Sequence, residues 1–266
     1  MAISGIDVSQ WQGQINWQKV KAAGVEFALI RAGYGDTLSY PKQIDTQYEY
    51  NYAQCKRNNI PVGVYFYSYA MNEAEARREA ECCLALLKGK QFEYPIYYDV
   101  EEFNLFNSGK TAEVTRAFVK VLEDAGYWVG IYTYRAAMGY FPADIKDKKA
   151  MAIAEYGAKL NYNGQYGIWQ NSSTWYVNGI NGRVDHDWCY VDYPKLIKER
   201  GKNGYPKPAP KLMYKVVKDT PIVQFEGEAK AGETRQVYGR KTVDGVQYGR
   251  VTDEGWISLK DAEQVQ

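Results

Sequence analysis

Eight short apolar runs, spaced through residues 3–189, limit what this chain can fold into. They are ISGIDVS (3–9), VEFALIRAG (25–33), PVGVYFYSYA (61–70), YPIYYDVE (94–101), YWVGIYTY (127–134), AMAIAEY (150–156), YGIWQNS (166–172) and RVDHDWC (183–189). Each is too short for a buried helix, and most are nearly continuous in apolar character. That is the pattern of parallel strands covered on both faces. Helical patterns separate the early runs. In TAEVTRAFVKVLEDAG, Val114, Phe118, Val121, Leu122 and Ala125 fall on one stripe, with Gly126 placed to end the helix. In NEAEARREAECCLALLKG, Asn72 is a natural N-cap, Glu73 and Glu75 complement the helix dipole, and Gly89 ends the pattern. Residues 16–24 and 45–58 read as two earlier helices. After residue 135 the runs are joined by short polar segments with little helix between them. The expectation is an α/β fold, an eight-stranded β/α barrel whose second half is poor in helix.

The pattern changes at GKNGYPKPAPK (201–211), which holds three prolines and two glycines and reads as an extended linker. Residues 212–266 carry short β-type runs, MYKVVKD, TRQVYGRKTV, VQYGRVTD and GWISLKD, with turn signals at Asp244-Gly245 and Glu254-Gly255. A small antiparallel barrel suits so short a segment. The expected division is therefore a catalytic-sized domain over 1–200, a linker over 201–211 and a small β domain over 212–266.

Composition excludes some partners. With 33 Lys+Arg against 32 Asp+Glu, the net charge of +1 gives no reason to expect nucleic acid or an anionic surface. No apolar run approaches the roughly 18 residues of a membrane span, so no membrane association is expected. The opening MAISGIDVSQW has neither a basic segment nor an apolar stretch typical of a secretory signal. Cys55, Cys82, Cys83 and Cys189 show no C-x-x-C spacing and read as reduced core thiols. One histidine and no cysteine cluster give no support for a metal, and no cofactor is expected.

The acids are informative. In a β/α barrel, chemistry gathers where strands end. Run 1 carries Asp7, run 4 ends in Asp99 and Glu101, and run 8 contains Asp185 and Asp187. Alternate residues of a strand share a face about 6.6 Å apart, so Asp99 and Glu101 project together and Glu102 points away. Two carboxylates on one face suit glycoside hydrolysis. One gives a proton to the leaving oxygen, and the other, ionised, balances positive charge at the sugar C1. Aromatics make up 15% of the chain, with 25 Tyr and 7 Trp. Such side chains line carbohydrate clefts as readily as they fill cores. Trp11, Trp169, Trp175 and Trp188 are candidates for stacking on sugars. His186 alternates with Asp185 and Asp187, so it points away from them and reads as a packing residue.

Taken in order, GIDVSQWQG, LIRAGYG, PVGVYFYSYA, YYDVE, VGIYTY, IAEYG, GIWQ and VDHDW resemble glycoside hydrolase family 25, the lysozyme-type muramidases common in bacteriophage endolysins. The resemblance spans residues 3–192. It implies a flattened β/α barrel that cleaves the β-1,4 bond between N-acetylmuramic acid and N-acetylglucosamine in peptidoglycan. Carried over position by position, it implies Glu101 as general acid/base. Asp99 would be its partner, as nucleophile or as the group orienting the substrate's 2-acetamido oxygen. Asp7 and Asp185 match further acids of the cleft. Tyr65, Tyr67, Tyr132, Tyr156 and Gln170 match polar or aromatic cleft positions, and Arg31 would hold a carboxylate in place. Asp187 departs from the pattern, which often has Asn there.

A chitinase-like endo-N-acetylglucosaminidase would show Asp-x-x-Asp-x-Asp-x-Glu, but here Tyr94 and Tyr97 precede Asp99. An inactive wall-binding barrel would not need all four acids. In the tail, VQYGRVTDEGWISL resembles bacterial SH3-like cell-wall-binding domains, and residues 211–266 are neutral, with nine basic and nine acidic side chains. The resemblance thus implies peptidoglycan as substrate and a wall ligand for the tail. With no export signal, the protein would stay in the host cytoplasm until released. The sequence gives no oligomeric state.

Overall fold

A computed structural model describes residues 2–147 and 150–207. Beyond them it describes 212–216, 220–221, 228–229, 234–237, 239–243, 245–251 and 256–265. The chain divides into two units, Met1–Pro208 and Ala209–Gln266.

All eight apolar runs of the first unit are strands. β1 (Ile3–Val8), β2 (Phe27–Tyr34), β3 (Val62–Tyr67), β4 (Ile96–Asp99), β5 (Val129–Tyr134), β6 (Ala150–Ala154), β7 (Ile168–Trp175) and β8 (Val184–Cys189) close into one barrel in chain order. The crossover helices are α1 (Trp17–Ala22), α2 (Tyr48–Arg57), α3 (Glu73–Leu87), α4 (Phe103–Ser108), α5 (Thr111–Asp124) and the single turn α6 (Ala143–Lys146); α7 (Tyr193–Glu199) follows β8. Asn72 caps α3 by accepting from the Glu75 amide at 3.0 Å. The α5 stripe is buried at Val114, Phe118 and Leu122.

The expectation of parallel strands fails at β8. It runs antiparallel to both β7 and β1. The reason is length. Only residues 176–183 join β7 to β8, too few for the dozen or so residues a helical crossover needs, so the chain turns back as a hairpin. The hairpin tip is seated by Gly179, whose carbonyl accepts from the Asn16 amide at 2.8 Å. Its φ of +108° and the Asn16 oxygen 2.5 Å from any added Cβ leave room only for glycine.

Strand alternation builds two cores. On β4, Tyr97 points into the barrel with Phe27, Leu29, Ile168 and Cys189, while Tyr98 points outward and stacks on Phe118 of α5 at 3.7 Å between ring centroids. All four cysteines are free and buried.

The linker reading of 201–207 is corrected. Asn203 is fully buried, accepts from the Trp128 amide at 2.7 Å and donates to the Tyr94 carbonyl at 2.8 Å. The Tyr205 hydroxyl donates to Glu93. These residues close the end of the barrel opposite the strand exits. Their prolines and glycines hid a side chain, Asn203, that satisfies backbone groups just before β4 and β5. Residues 208–211 lie outside the described residues.

In the second unit the described strands are β9 (Leu212–Val216), β10 (Thr220–Pro221), β11 (Glu228–Ala229), β12 (Thr234–Val237), β13 (Gly239–Val243), β14 (Val246–Arg250), β15 (Trp256–Ser258) and β16 (Ala262–Val265). All pairings are antiparallel. β9 lies between β12 and β16, and β14 between β13 and β15, while β10 pairs with β11. Val243 of β13 pairs with Val246 of β14, and Gly245 before β14 has φ +76°; Asp244 of the expected Asp244-Gly245 turn lies outside the described residues. The Glu254-Gly255 turn falls outside the described residues. Val237, Val251 and Ile257 form a small buried cluster.

Candidate active site

Strands β1–β7 all exit at one end of the barrel, and the reversed β8 enters there. Each therefore delivers its terminal side chains to the same mouth. A cavity of about 270 Å³ opens at this end. Asp7, Arg31, Tyr65, Tyr67, Asp99, Glu101, Tyr132, Tyr156, Gln170 and Asp185, the ten positions singled out in the sequence, all line it. Asp99 pairs with Tyr67 on one side and Tyr132 on the other. The β4 ladder continues one residue past the strand, the Val100 amide donating to the Tyr132 carbonyl at 3.0 Å, so Glu101 keeps the face of Asp99.

Gln170 organises the wall opposite. Its amide donates to Asp7 at 2.7 Å, and its carbonyl accepts from the hydroxyls of Tyr132 at 3.0 Å and Tyr156 at 3.1 Å. Arg31 is fixed from behind. Its Nε donates to Asp45 at 2.8 Å, while Nη2 is buried without a hydrogen-bond partner. Asp99 Oδ1 is buried and unpartnered in the same way.

Burial governs the acids. It lifts Asp99 well above the usual carboxylate range, the charge of Glu101 adds to the lift, and Arg31 opposes it. Burial also raises Glu101, with Asp185 and Glu102 adding and the Tyr132 hydroxyl offsetting. The two carboxyls compete for one proton. Once Glu101 is protonated, the neighbouring charge that lifts Asp99 is gone. Arg31 acts on Asp99 and favours its charged form, and it does not act on Glu101. On the far wall Asp7 is raised well above its ordinary value by burial and by the charges of Asp187 and Asp185. The arrangement offers two coupled carboxyls, only one of them facing a cation, in a cleft walled by tyrosines.

The sequence profile of Glycosyl hydrolases family 25 matches residues 6–180. The chain belongs to that family. It is 30% identical over 187 residues to the autolytic lysozyme of Clostridium acetobutylicum, covering 70% of this chain and 55% of that protein. Among solved structures, the modular autolysin LytC of Streptococcus pneumoniae matches with a TM-score of 0.62 and 31% identity, covering 71% of this chain. The chain spans about half, 47%, of LytC. The lysozyme of Streptomyces coelicolor shares the fold, with a TM-score of 0.63 at 22% identity over 77% of this chain and 99% of its own. The chain is thus a member of a glycoside hydrolase family, and its relatives include an autolytic lysozyme and an autolysin.

One residue that shapes this family 25 site escaped the sequence reading. Asp45, which clamps Arg31, belongs to no strand run, and nothing in its neighbourhood marks it. Asp187 lines the cavity beside Asp7 and is almost fully buried. Glu102 stays out of the cavity, as alternation predicts, but accepts from the hydroxyl of Tyr67 at 2.8 Å and so touches the site at one remove. Of the tryptophans, Trp11 lines the cavity and is 77% exposed. Trp169 instead donates to the Glu155 carbonyl at 2.8 Å, and Trp175 and Trp188 pack on His186. His186 sits between Ser4 Oγ at 2.9 Å and Asn171 Oδ1 at 2.6 Å, in the packing role its alternation implied.

Proposed function

We propose that this chain is an N-acetylmuramidase that cleaves the β-1,4 bond from N-acetylmuramic acid to N-acetylglucosamine in peptidoglycan. The observation that carries the reading is Glu101 and Asp99 on one wall of the cavity, with Arg31 acting on Asp99 alone. Glu101 gives its proton to the glycosidic oxygen as the bond to C1 breaks. Asp99 balances the charge at C1, directly or by orienting the 2-acetamido oxygen. Glu101, now ionised, takes a proton from the water that attacks C1, which restores the starting state. Tyrosine rings and Trp11 offer faces for the sugars. LytC, which shares the fold, has been solved with a synthetic peptidoglycan ligand.

The tail fits a wall-binding role. Its motif VQYGRVTDEGWISL and its short antiparallel strands suit an SH3-like module that holds the enzyme on its polymer and raises the local concentration of the cleft. The whole protein then reads as an endolysin of the phage type, kept in the host cytoplasm until released to the wall.

The test is digestion of purified cell walls followed by reduction of the new chain ends. Reduced N-acetylmuramic acid is the expected product. Reduced N-acetylglucosamine instead would overturn the bond assignment. Sedimentation of residues 208–266 with walls tests the tail, and because it is neutral its binding should change little with salt.

A further inference from the structure

Beside the cavity, on the β2–β3 side of the mouth, the chain exposes aromatic rings that the reaction above does not use. Tyr69 is 52% exposed and Tyr40 57%. Both line a separate groove of about 340 Å³, together with Asp36, Gln43 and Arg78. A row of ring contacts leads to it from the cavity. Tyr67, a cavity residue, packs on Tyr69 at 5.1 Å between ring centroids, and Tyr69 meets Tyr34 edge to face at 5.9 Å. Arg31, also a cavity residue, lies 5.7 Å from the centroid of Tyr34.

An exposed ring on a loop is ordinarily mobile, but Tyr69 is held from below. Four successive amides of the segment between β3 and α3 have partners. The Ser68 amide donates to the Asp99 carbonyl at 3.0 Å, that of Tyr69 to Glu79 at 2.7 Å, that of Ala70 to the Ser68 hydroxyl at 3.2 Å and that of Met71 to Glu75 at 2.7 Å. Ser68, Ala70 and Glu79 are buried. The ring is therefore presented in a fixed place, and a ligand that stacks on it need not order the loop first. The groove's chemistry narrows the ligand. Arg78, the cation among its described lining residues, is already paired with Asp36 at 3.0 Å, so the groove offers little to an anion. It offers ring faces, and the Gln43 Oε1 is buried with no hydrogen-bond partner. Flat rings beside a planar amide suit a neutral ligand with one apolar face and many hydroxyls, which is a sugar.

We propose that this groove is a distal sugar subsite. The glycan strand being cut leaves the cavity across Tyr67 and Tyr34 and lays a ring, beyond the sugars that flank the scissile bond, on the exposed faces of Tyr69 and Tyr40. The subsite makes the enzyme prefer long strands to short fragments, because only a long strand reaches both the cavity and the groove. It rests on the muramidase reading for the identity of the strand. The stem peptides of peptidoglycan are the competing occupant, and the charge pairing in the groove disfavours them.

Two measurements on the full chain test it, both with glycan strands stripped of their stem peptides by an amidase. The first is kinetic. The ratio of kcat/KM on long stripped strands to that on a peptide-free tetrasaccharide should fall about tenfold in Tyr69→Ala, through KM, and should stay near the wild-type ratio in Tyr69→Phe, which keeps the ring. The second needs no turnover. In Glu101→Gln, long stripped strands should shield Tyr69 and Tyr40 from tyrosine nitration, mapped by peptide mass, and the tetrasaccharide should not. The proposal is overturned if the ratio is unchanged in Tyr69→Ala, if Tyr69→Phe loses as much as Tyr69→Ala, or if stripped strands leave Tyr69 unshielded. Shielding only by strands that still carry stem peptides also overturns it and gives the groove to the peptide. If the wild type cleaves neither substrate while Tyr69 is shielded, the activity reading fails and the sugar subsite stands.

Discussion

Arg31 and Asp45 form a buried ion pair, Nε to Oδ2 at 2.8 Å, at the edge of the cavity that Arg31 and Asp99 both line. Asp45 also accepts from the Gln10 amide at 2.9 Å and the Gln47 amide at 2.9 Å, so its carboxylate is immobile. Asp45→Asn keeps the shape but removes the charge that holds Arg31. Because Arg31 favours the ionised form of Asp99, a looser Arg31 lets the Asp99 pKa rise further. The acidic limb of the pH–rate profile should then move to higher pH, with a loss of about tenfold in kcat/KM near its foot. A loss that is uniform across pH would mean Asp45 only stabilises the fold.

Glu101→Gln preserves volume and removes the proton. Hydrolysis should fall by about 10²–10⁴-fold while the melting temperature stays close to wild type. In the wild type, the raised Glu101 pKa sets the alkaline side: activity declines as pH climbs through it, because the acid form is consumed. Full turnover in a folded Glu101→Gln protein would refute the assignment.

Glu102 should matter more than its outward direction suggests. Its partner Tyr67 lines the cavity, so Glu102→Ala and Tyr67→Phe should each cost several-fold, and the double variant no more than either alone. Glu102→Gln retains an acceptor and should be mild. A coupling energy of about 0.5–1.5 kcal/mol in the double-mutant cycle is expected; strict additivity would show that the hydrogen bond has no role in catalysis.

Truncation should separate residue 200 from residue 208. A chain ending at 200 loses Asn203, which leaves the Trp128 amide and the Tyr94 carbonyl without partners. It should be less stable than a chain ending at 208 by roughly 2–4 kcal/mol, and Asn203→Ala in the full chain should reproduce most of that. Thermal denaturation of the three proteins is sufficient.

Glu79 gives the fold its own pH dependence. It is buried behind β3 and β4, accepts from the Tyr98 hydroxyl at 2.6 Å and the Tyr69 amide at 2.7 Å, and burial lifts it from 4.5 to about 7. A carboxyl raised in the folded state contributes stability that is complete below about 4.5 and is lost as pH rises through about 7. Denaturant titrations should show that Glu79→Gln flattens the slope of stability in this window. An unchanged slope would place the proton elsewhere.

The barrel was legible because each strand is a nearly unbroken apolar run, a signal that survives without knowledge of neighbours. The ten cleft residues were found because they sit where such runs end or within familiar motifs. What stayed hidden depends on contacts across the chain. Asp45 is meaningful only because Arg31 of β2 reaches it. Asn203 sits in a Pro/Gly-rich stretch that reads as a spacer, though its side chain stands in for a missing strand neighbour. The reversal of β8 was implicit in the brevity of 176–183, a count that outweighs the parallel pattern of the strands around it.

That reversal bears on how such a cleft diversifies. A crossover helix ties two strands to a shell of packing, so altering its length disturbs the whole layer. The β7–β8 hairpin carries no helix of its own, and its tip is tied down through Gly179 at Asn16. Its register already slips twice, between Gln170 and Ser172 and between Ser172 and Trp175, without opening the barrel. One flank of the mouth is therefore built like an adjustable cuff. Residues can be added or removed at the 176–183 turn to lengthen the groove along a polymer, while the acids rooted in β8 stay where they are.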